Sequence, residues 1–201
     1  MGLNTRHRRS LRLPRYDYSQ ANAYFLTICA TNKEFLFGQI IDGNMNLSKA
    51  GQVVEEEWLK TANLRPYVKL DQFIIMPNHF HGILWIDPEP KGTARRAPTR
   101  EEFGNPLAGS LPTIMRAFKA AVTNQINRLR GTPNIAVWQR NYYEHVIRND
   151  KSLERIREYI INNPYSWELD RENPNRQGEH EFYRWLDSFK APHGSYNKTK
   201  M

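Results

Sequence analysis

Only Pro77 and Asn78 separate two runs rich in β-branched and aromatic residues, 70–76 and 79–86. So short a link turns the second run straight back along the first, and the pair is predicted to be antiparallel neighbours in one sheet. The second run, His79-Phe80-His81-Gly82-Ile83-Leu84-Trp85-Ile86, carries histidines at alternate positions. Side chains alternate faces along a strand, which points both imidazoles to one side of the sheet. Two neutral imidazoles so placed can hold a divalent cation and leave most of its coordination sphere open. Taken alone, the pattern more often marks partly buried, hydrogen-bonded histidines.

The rest of the chain supplies a frame for that sheet. Tyr24 to Cys29 reads as a strand, and Asp42-Gly43, between Ile40-Ile41 and Met45, supplies the positive φ angles of a tight hairpin. Ser48 caps a helix running to about Leu64, with Ala50, Val54 and Trp58 on one side and Glu55 to Glu57 largely on the other. Ser110 caps another, with Pro112 in its first turn and Gly131 past its end. On that helix Leu111, Ile114, Met115, Phe118, Val122, Ile126 and Leu129 share one arc, while Arg116, Lys119, Thr123, Asn127 and Arg130 share the opposite one. A long strand is expected over 136–148, then a helix from about Lys151 to Asn162, stopped by Pro164.

Strand, helix, strand, strand, helix, strand describes a ferredoxin-like α/β (α+β) sandwich with an antiparallel central sheet, to which the last helix is an addition. The expected divisions are a basic arm over 1–18, one domain over 19–164 and a tail over 165–201. A mobile basic loop interrupts the domain at 88–109, where four prolines and three glycines fall. Trp167, Tyr183, Trp185 and Phe189 give the tail enough apolar surface to dock as a short helix near 179–190, with a polar end from Pro192.

Lys and Arg number 29 against 21 Asp and Glu, a formal charge of +8 that favours an anionic partner such as nucleic acid or a membrane surface. Arg8, Arg9, Arg12 and Arg15 precede Tyr16 and Tyr18, a mixture of cations for phosphates and rings for unpaired bases. A merely solvated arm fits the same composition, and a merely solvated face fits Arg116 and Lys119. No apolar run approaches a membrane span, and no apolar segment follows the N-terminal arginines as in a signal peptide. Cys29 is the only cysteine, which excludes an intrachain disulfide and a multi-cysteine zinc site. A cytoplasmic protein without a membrane partner is expected.

Tyr159 and Asn163 lie one turn apart on the edge of the last helix, beside the stripe of Leu153, Ile156 and Ile160. At the helical repeat they are about 40° apart around the axis, so both can enter one cleft. A phenol near a cation can attack a phosphodiester and conserve the bond energy in a phosphotyrosine. The Asn163 carbonyl, a hard oxygen donor, is a candidate third ligand for Mg²⁺ or Mn²⁺. From the residues alone Tyr142 and Tyr143, near His145, are rival nucleophiles.

His79-Phe80-His81, followed by Arg157-Glu158-Tyr159-Ile160-Ile161-Asn162-Asn163-Pro164, resembles the HUH single-strand nucleases, specifically the single-tyrosine transposases. Within these the chain is most similar to the REP-associated tyrosine transposases. The resemblance spans about residues 10–168, with support from Met76-Pro77-Asn78-His79, Phe118-Lys119 and the stretch 137–148. It implies that His79 and His81 bind a divalent cation polarising the scissile phosphate, and that Tyr159 attacks to leave a 5′-phosphotyrosine and a free 3′-hydroxyl. Insertion-sequence members usually carry Gln where Asn163 stands, whereas the REP-associated members resemble this chain. That implies a chromosomal, nucleoid-associated bacterial enzyme acting on single-stranded DNA at the hairpins of repetitive extragenic palindromes, as a monomer rather than a swapped dimer. The alternative is a catalytically lapsed DNA-binding protein occupying the same palindromic sites. A dinuclear metallohydrolase would need a cluster of acidic ligands that the sequence does not show.

Overall fold

In the computed structural model, which describes residues 16–18, 20–87 and 108–189, the runs joined by Pro77 and Asn78 form β4 (Val68–Met76) and β5 (His79–Ile86). They pair antiparallel, with Met76 opposite His79 and Ile74 opposite His81. On its other side β5 pairs with β1 (Asn22–Cys29), which sets Thr27 opposite His81 and Cys29 opposite His79. β6 (Tyr143–Ile147) completes an antiparallel sheet of order β4-β5-β1-β6. With α1 (Lys49–Asn63) between β1 and β4, and α2 (Leu111–Arg130) between β5 and β6, this is the expected ferredoxin-like arrangement. The hairpin of β2 (Gly38–Ile41) and β3 (Asn44–Leu47) precedes α1, and Asp42 and Gly43 take φ angles of 50° and 72° at its turn.

Alternation along the strands divides the interior into two cores. Tyr24, Leu26 and Ile28 of β1 and Phe80, Leu84 and Ile86 of β5 face α1 and α2, where Trp58 and Phe118 are buried. Ala23, Phe25 and Ile83 face the opposite way, against α3 (Asp150–Asn162) and α4 (Glu181–Asp187). Burial on both faces is why these strands read as nearly continuous apolar runs. At Gly82 an ideal Cβ would lie 2.6 Å from the Phe80 ring and 2.9 Å from Trp58, so the close packing of those two rings requires glycine there.

Side-chain caps fix the starts of α1 and α3. Ser48 Oγ accepts from the Gly51 amide at 3.1 Å, and Asn149 Oδ1 accepts from the Ser152 amide at 2.8 Å. Arg157 of α3 donates from Nε and Nη2 to the two carboxylate oxygens of Asp71 on β4, at 2.9 and 2.6 Å, and Trp85 Nε1 donates to the same carboxylate at 3.1 Å. This anchors α3 over the sheet two residues before Tyr159.

Four expectations need correction. The strand expected over 136–148 is only five residues long, its pairing with β1 stopping at Tyr143 opposite Thr27. Beyond that point Trp138 makes an isolated bridge to Ala30, and the chain leaves the sheet. Leu129, in the last turn of α2, is exposed although it continues the apolar arc. Glu57 is buried and accepts from Lys60 and from Gln125 of α2, so its charge is turned between the helices rather than outward. Tyr18 is buried in the core and Tyr16 is packed edge-on against it, so Tyr18 offers no face for stacking bases.

Arg8, Arg9, Arg12 and Arg15, nearly all of the 88–109 loop and the polar end from Pro192 lie outside the described residues. No helix among the described residues is long and apolar enough to cross a membrane.

Candidate functional site

Because His79 and His81 begin β5 at alternate positions, both side chains project from the sheet face that α3 covers. Both are fully buried, and their Nε2 atoms stand 2.9 Å apart. The outer nitrogens are also engaged: His79 Nδ1 with Asn78 Oδ1 at 2.8 Å, and His81 Nδ1 with Thr27 Oγ1 at 2.9 Å. Phe25 stacks on His81 and Trp167 on His79, so each ring has a fixed plane.

Tyr159 of α3 reaches this pair, its hydroxyl 3.2 Å from His81 Nε2. The rival tyrosines go elsewhere: Tyr142 packs against the core on the α1 and α2 side, and Tyr143 packs beside Phe25. Asn163, one turn beyond Tyr159, donates from Nδ2 to Asp170 Oδ2 at 2.8 Å, while its Oδ1 is buried without a hydrogen-bond partner. Such an orphan oxygen needs a physical reason, and cation ligation is one.

Asp170 escapes the sequence reading altogether. It follows the 3-10 turn Trp167–Leu169, is fully buried, and its Oδ2 lies 3.9 Å from His79 Nε2 and 3.8 Å from His81 Nε2. Tyr159 and Tyr183 donate to that oxygen at 2.8 and 2.9 Å, and the Glu172 amide donates to Oδ1 at 2.7 Å. Burial works against its charge, but the histidine pair and the Asn163 amide hold its pKa well below the usual carboxylate range. His79 shows the opposite response: burial pushes its pKa down to about 4, which leaves a neutral imidazole at pH 7. The Tyr159 phenol is pushed well above its ordinary value by burial and then by the Asp170 charge, and is protonated in this state.

The donor set fits a divalent cation. The two imidazole Nε2 atoms stand 2.9 Å apart and both face the Asp170 carboxylate. A buried carboxylate whose immediate partners are neutral donors is costly, and a dication beside it compensates that charge. His79, His81 and Asp170 have ligand atoms within 4.8 Å of one another, with the free Asn163 oxygen at the same carboxylate.

The tail closes the site. Phe182 of α4 stacks flat on Tyr159, with ring centroids 3.7 Å apart and planes 4° apart, and the Tyr183 hydroxyl lies 2.5 Å from that of Tyr159. Tyr159 is 4% exposed, and its hydroxyl is enclosed by Tyr183, Asp170 and His81.

The surface cations are placed differently from one another. Arg116 is exposed on α2, whereas the Lys119 ammonium donates to the carbonyls of Gln139 and Arg140 at 2.6 and 3.0 Å, and burial lowers its pKa to about 8.

No protein-family model matches the chain. An uncharacterized protein of Haemophilus influenzae is 44% identical over 167 residues, 82% of this chain and 92% of that protein. Among solved structures, a REP-associated tyrosine transposase bound to a REP hairpin aligns with a TM-score of 0.49 at 20% identity, over 78% of this chain and 73% of that one. A proposed transposase from Deinococcus radiodurans aligns with a TM-score of 0.44 at 13% identity, over 75% and 97% of the two chains.

Proposed function

We propose that this chain, which belongs to one family with the uncharacterized Haemophilus influenzae protein, is a metal-dependent single-stranded DNA endonuclease and strand transferase that works through a 5′-phosphotyrosine. The observation that carries this reading is the Tyr159 hydroxyl, 3.2 Å from His81 Nε2 and hydrogen-bonded to the Asp170 carboxylate, at the point where two imidazoles converge. A nucleophile and a cation site meeting in one cleft is the arrangement that phosphodiester transfer to a side chain requires.

His79, His81 and Asp170 would hold Mg²⁺ or Mn²⁺, with Asn163 Oδ1 as a further donor. Bound there, such a cation would supply Lewis-acid polarisation of the scissile phosphate. Tyr159 then attacks phosphorus, the bond to the 3′-oxygen breaks, and the phenolic proton ends on the 3′-hydroxyl that leaves. Attack by a 3′-hydroxyl on the phosphotyrosine reverses the step, so cutting and rejoining need no ATP. The substrate we assign is single-stranded DNA flanking a hairpin, such as a repetitive extragenic palindrome, because the resemblance carried by His79, His81, Tyr159 and Asn163 implies it. Arg116 and the arm residues Arg8, Arg9, Arg12 and Arg15 are assigned to phosphates, and Lys119 to fixing the 139–140 segment beside α2.

The test is incubation of the chain and Mn²⁺ with a labelled hairpin bearing single-stranded flanks, followed by denaturing electrophoresis and peptide mapping. A covalent adduct on Tyr159 is expected. It should vanish in Tyr159→Phe, in the His79→Ala, His81→Ala double variant and in chelator, and persist in Tyr142→Phe and Tyr143→Phe. An adduct that survives in Tyr159→Phe removes the nucleophile assignment.

A further inference from the structure

We propose that Asn78 and Thr27 are positioning residues that decide which nitrogen each histidine presents to the cation, Asn78 by locking His79 and Thr27 by letting His81 switch. The inference rests on the reading of His79 and His81 as ligands.

Asn78 is fully buried in the turn between β4 and β5. Its Nδ2 donates to the carbonyls of Glu172 and Lys33, at 2.8 and 3.4 Å, so the amide is oriented with Oδ1 toward His79. A carbonyl oxygen only accepts. His79 Nδ1 therefore carries the hydrogen of that 2.8 Å contact, and the lone pair of the neutral ring sits on Nε2, facing the site. This histidine is a ligand in waiting whether or not a cation is there.

His81 cannot be arranged the same way in the metal-free protein. Since His79 Nε2 is an acceptor, their 2.9 Å contact requires the hydrogen on His81 Nε2. The Tyr159 oxygen, 3.2 Å from the same nitrogen, agrees, because its own hydrogen is donated to Asp170. In the neutral ring His81 Nδ1 is then the acceptor, and the Thr27 hydroxyl donates to it at 2.9 Å. A cation needs the lone pair at both Nε2 atoms. His81 must therefore exchange tautomers, losing the proton at Nε2 and gaining one at Nδ1 with no change of charge, and Thr27 must turn from donor to acceptor. A hydroxyl does either by rotating its hydrogen, whereas an amide carbonyl or a methyl cannot. The β1–β5 register that sets Thr27 opposite His81 places that hydroxyl.

Removing an outer partner of a ligating histidine typically weakens metal binding about 10- to 100-fold. The full-length chain should show this in Mn²⁺ titrations read by electron paramagnetic resonance, with no DNA present. Asn78→Ala and Thr27→Val should each bind about 10-fold or more weakly. Thr27→Ser, which keeps the hydroxyl, and Asn78→Asp, which keeps an acceptor but loses both donated bonds, should bind more tightly than those two. If Asn78 serves only to tie the turn to residues 33 and 172, Asn78→Asp will instead be as weak as Asn78→Ala, and that outcome overturns the proposal. Nitrogen-15 spectra of the histidines give the second readout: His79 protonated at Nδ1 with or without Mg²⁺, His81 protonated at Nε2 without it and at Nδ1 with it. Binding with the His81 tautomer unmoved, or variants that bind like wild type, overturns the inference and leaves the metal reading standing. No saturable binding to wild type overturns both.

Discussion

The burial of His79 sets a measurable acid sensitivity on the metal-free protein. An unfolded histidine titrates near 6.5, and burial, working against the opposing pull of Asp170, lowers the folded value to about 4. Between those values the unfolded chain binds more protons than the folded one, so stability is full above pH 6.5 and falls as pH drops toward 4. The whole displacement corresponds to about 3 kcal/mol, of which roughly 2 kcal/mol is lost between pH 7 and pH 5. Carboxylates unfold with pKa values near 4 and contribute little in that window. His145 does contribute, because burial and then Arg148 also lower its pKa to about 4. The assay is therefore urea unfolding of wild type and His79→Gln at pH 7 and pH 5 in chelator. Wild type should lose roughly 2 kcal/mol more than the variant over that interval. Equal losses would show that His79 is not the buried neutral imidazole described above.

Gly82→Ala forces a Cβ to within 2.6 Å of Phe80 and 2.9 Å of Trp58, an overpacking expected to cost about 1–3 kcal/mol; an unchanged melting temperature would contradict the packing. If Arg116 meets a phosphate, Arg116→Ala should flatten the slope of log affinity against log salt by about 0.7 to 0.9, and deletion of residues 1–15 should flatten it further, equally for all DNA sequences. Lys119→Ala should behave differently, lowering the melting temperature as it releases the carbonyls of Gln139 and Arg140, and a pure salt-slope effect would refute its structural placement.

Most of the sheet was legible because its signals are local. The two-residue link at Pro77-Asn78 fixes the β4–β5 pairing, period-two alternation puts both histidines on one face, and one helical turn brings Tyr159 and Asn163 together. Misreadings began where a long-range partner decides the outcome. Residues 136–142 have strand composition, but regular pairing with β1 begins at Tyr143, and before it Trp138 makes an isolated bridge to Ala30. Tyr18 reads as a surface ring beside arginines, yet it packs against Tyr24 in the core.

Asp170 is the extreme case. It is one of 21 acidic residues, in a stretch with no periodicity, and nothing local separates it from a solvated loop carboxylate. Its position is set by contacts distant in sequence: Asn78 holds the Glu172 carbonyl, Asn163 and Tyr159 donate to the carboxylate from α3, and Tyr183 donates from α4. Expected only as apolar cover, the tail therefore supplies a carboxylate to the histidine cluster. Its aromatic residues do two jobs there, since Phe182 shields the Tyr159 ring while Tyr183 donates to the buried Asp170 carboxylate. A sequence reading that follows helices and strands finds the histidines and the tyrosine, because those are placed by regular geometry. The carboxylate beside the histidine pair arrives from irregular chain, and only the folded contacts select it.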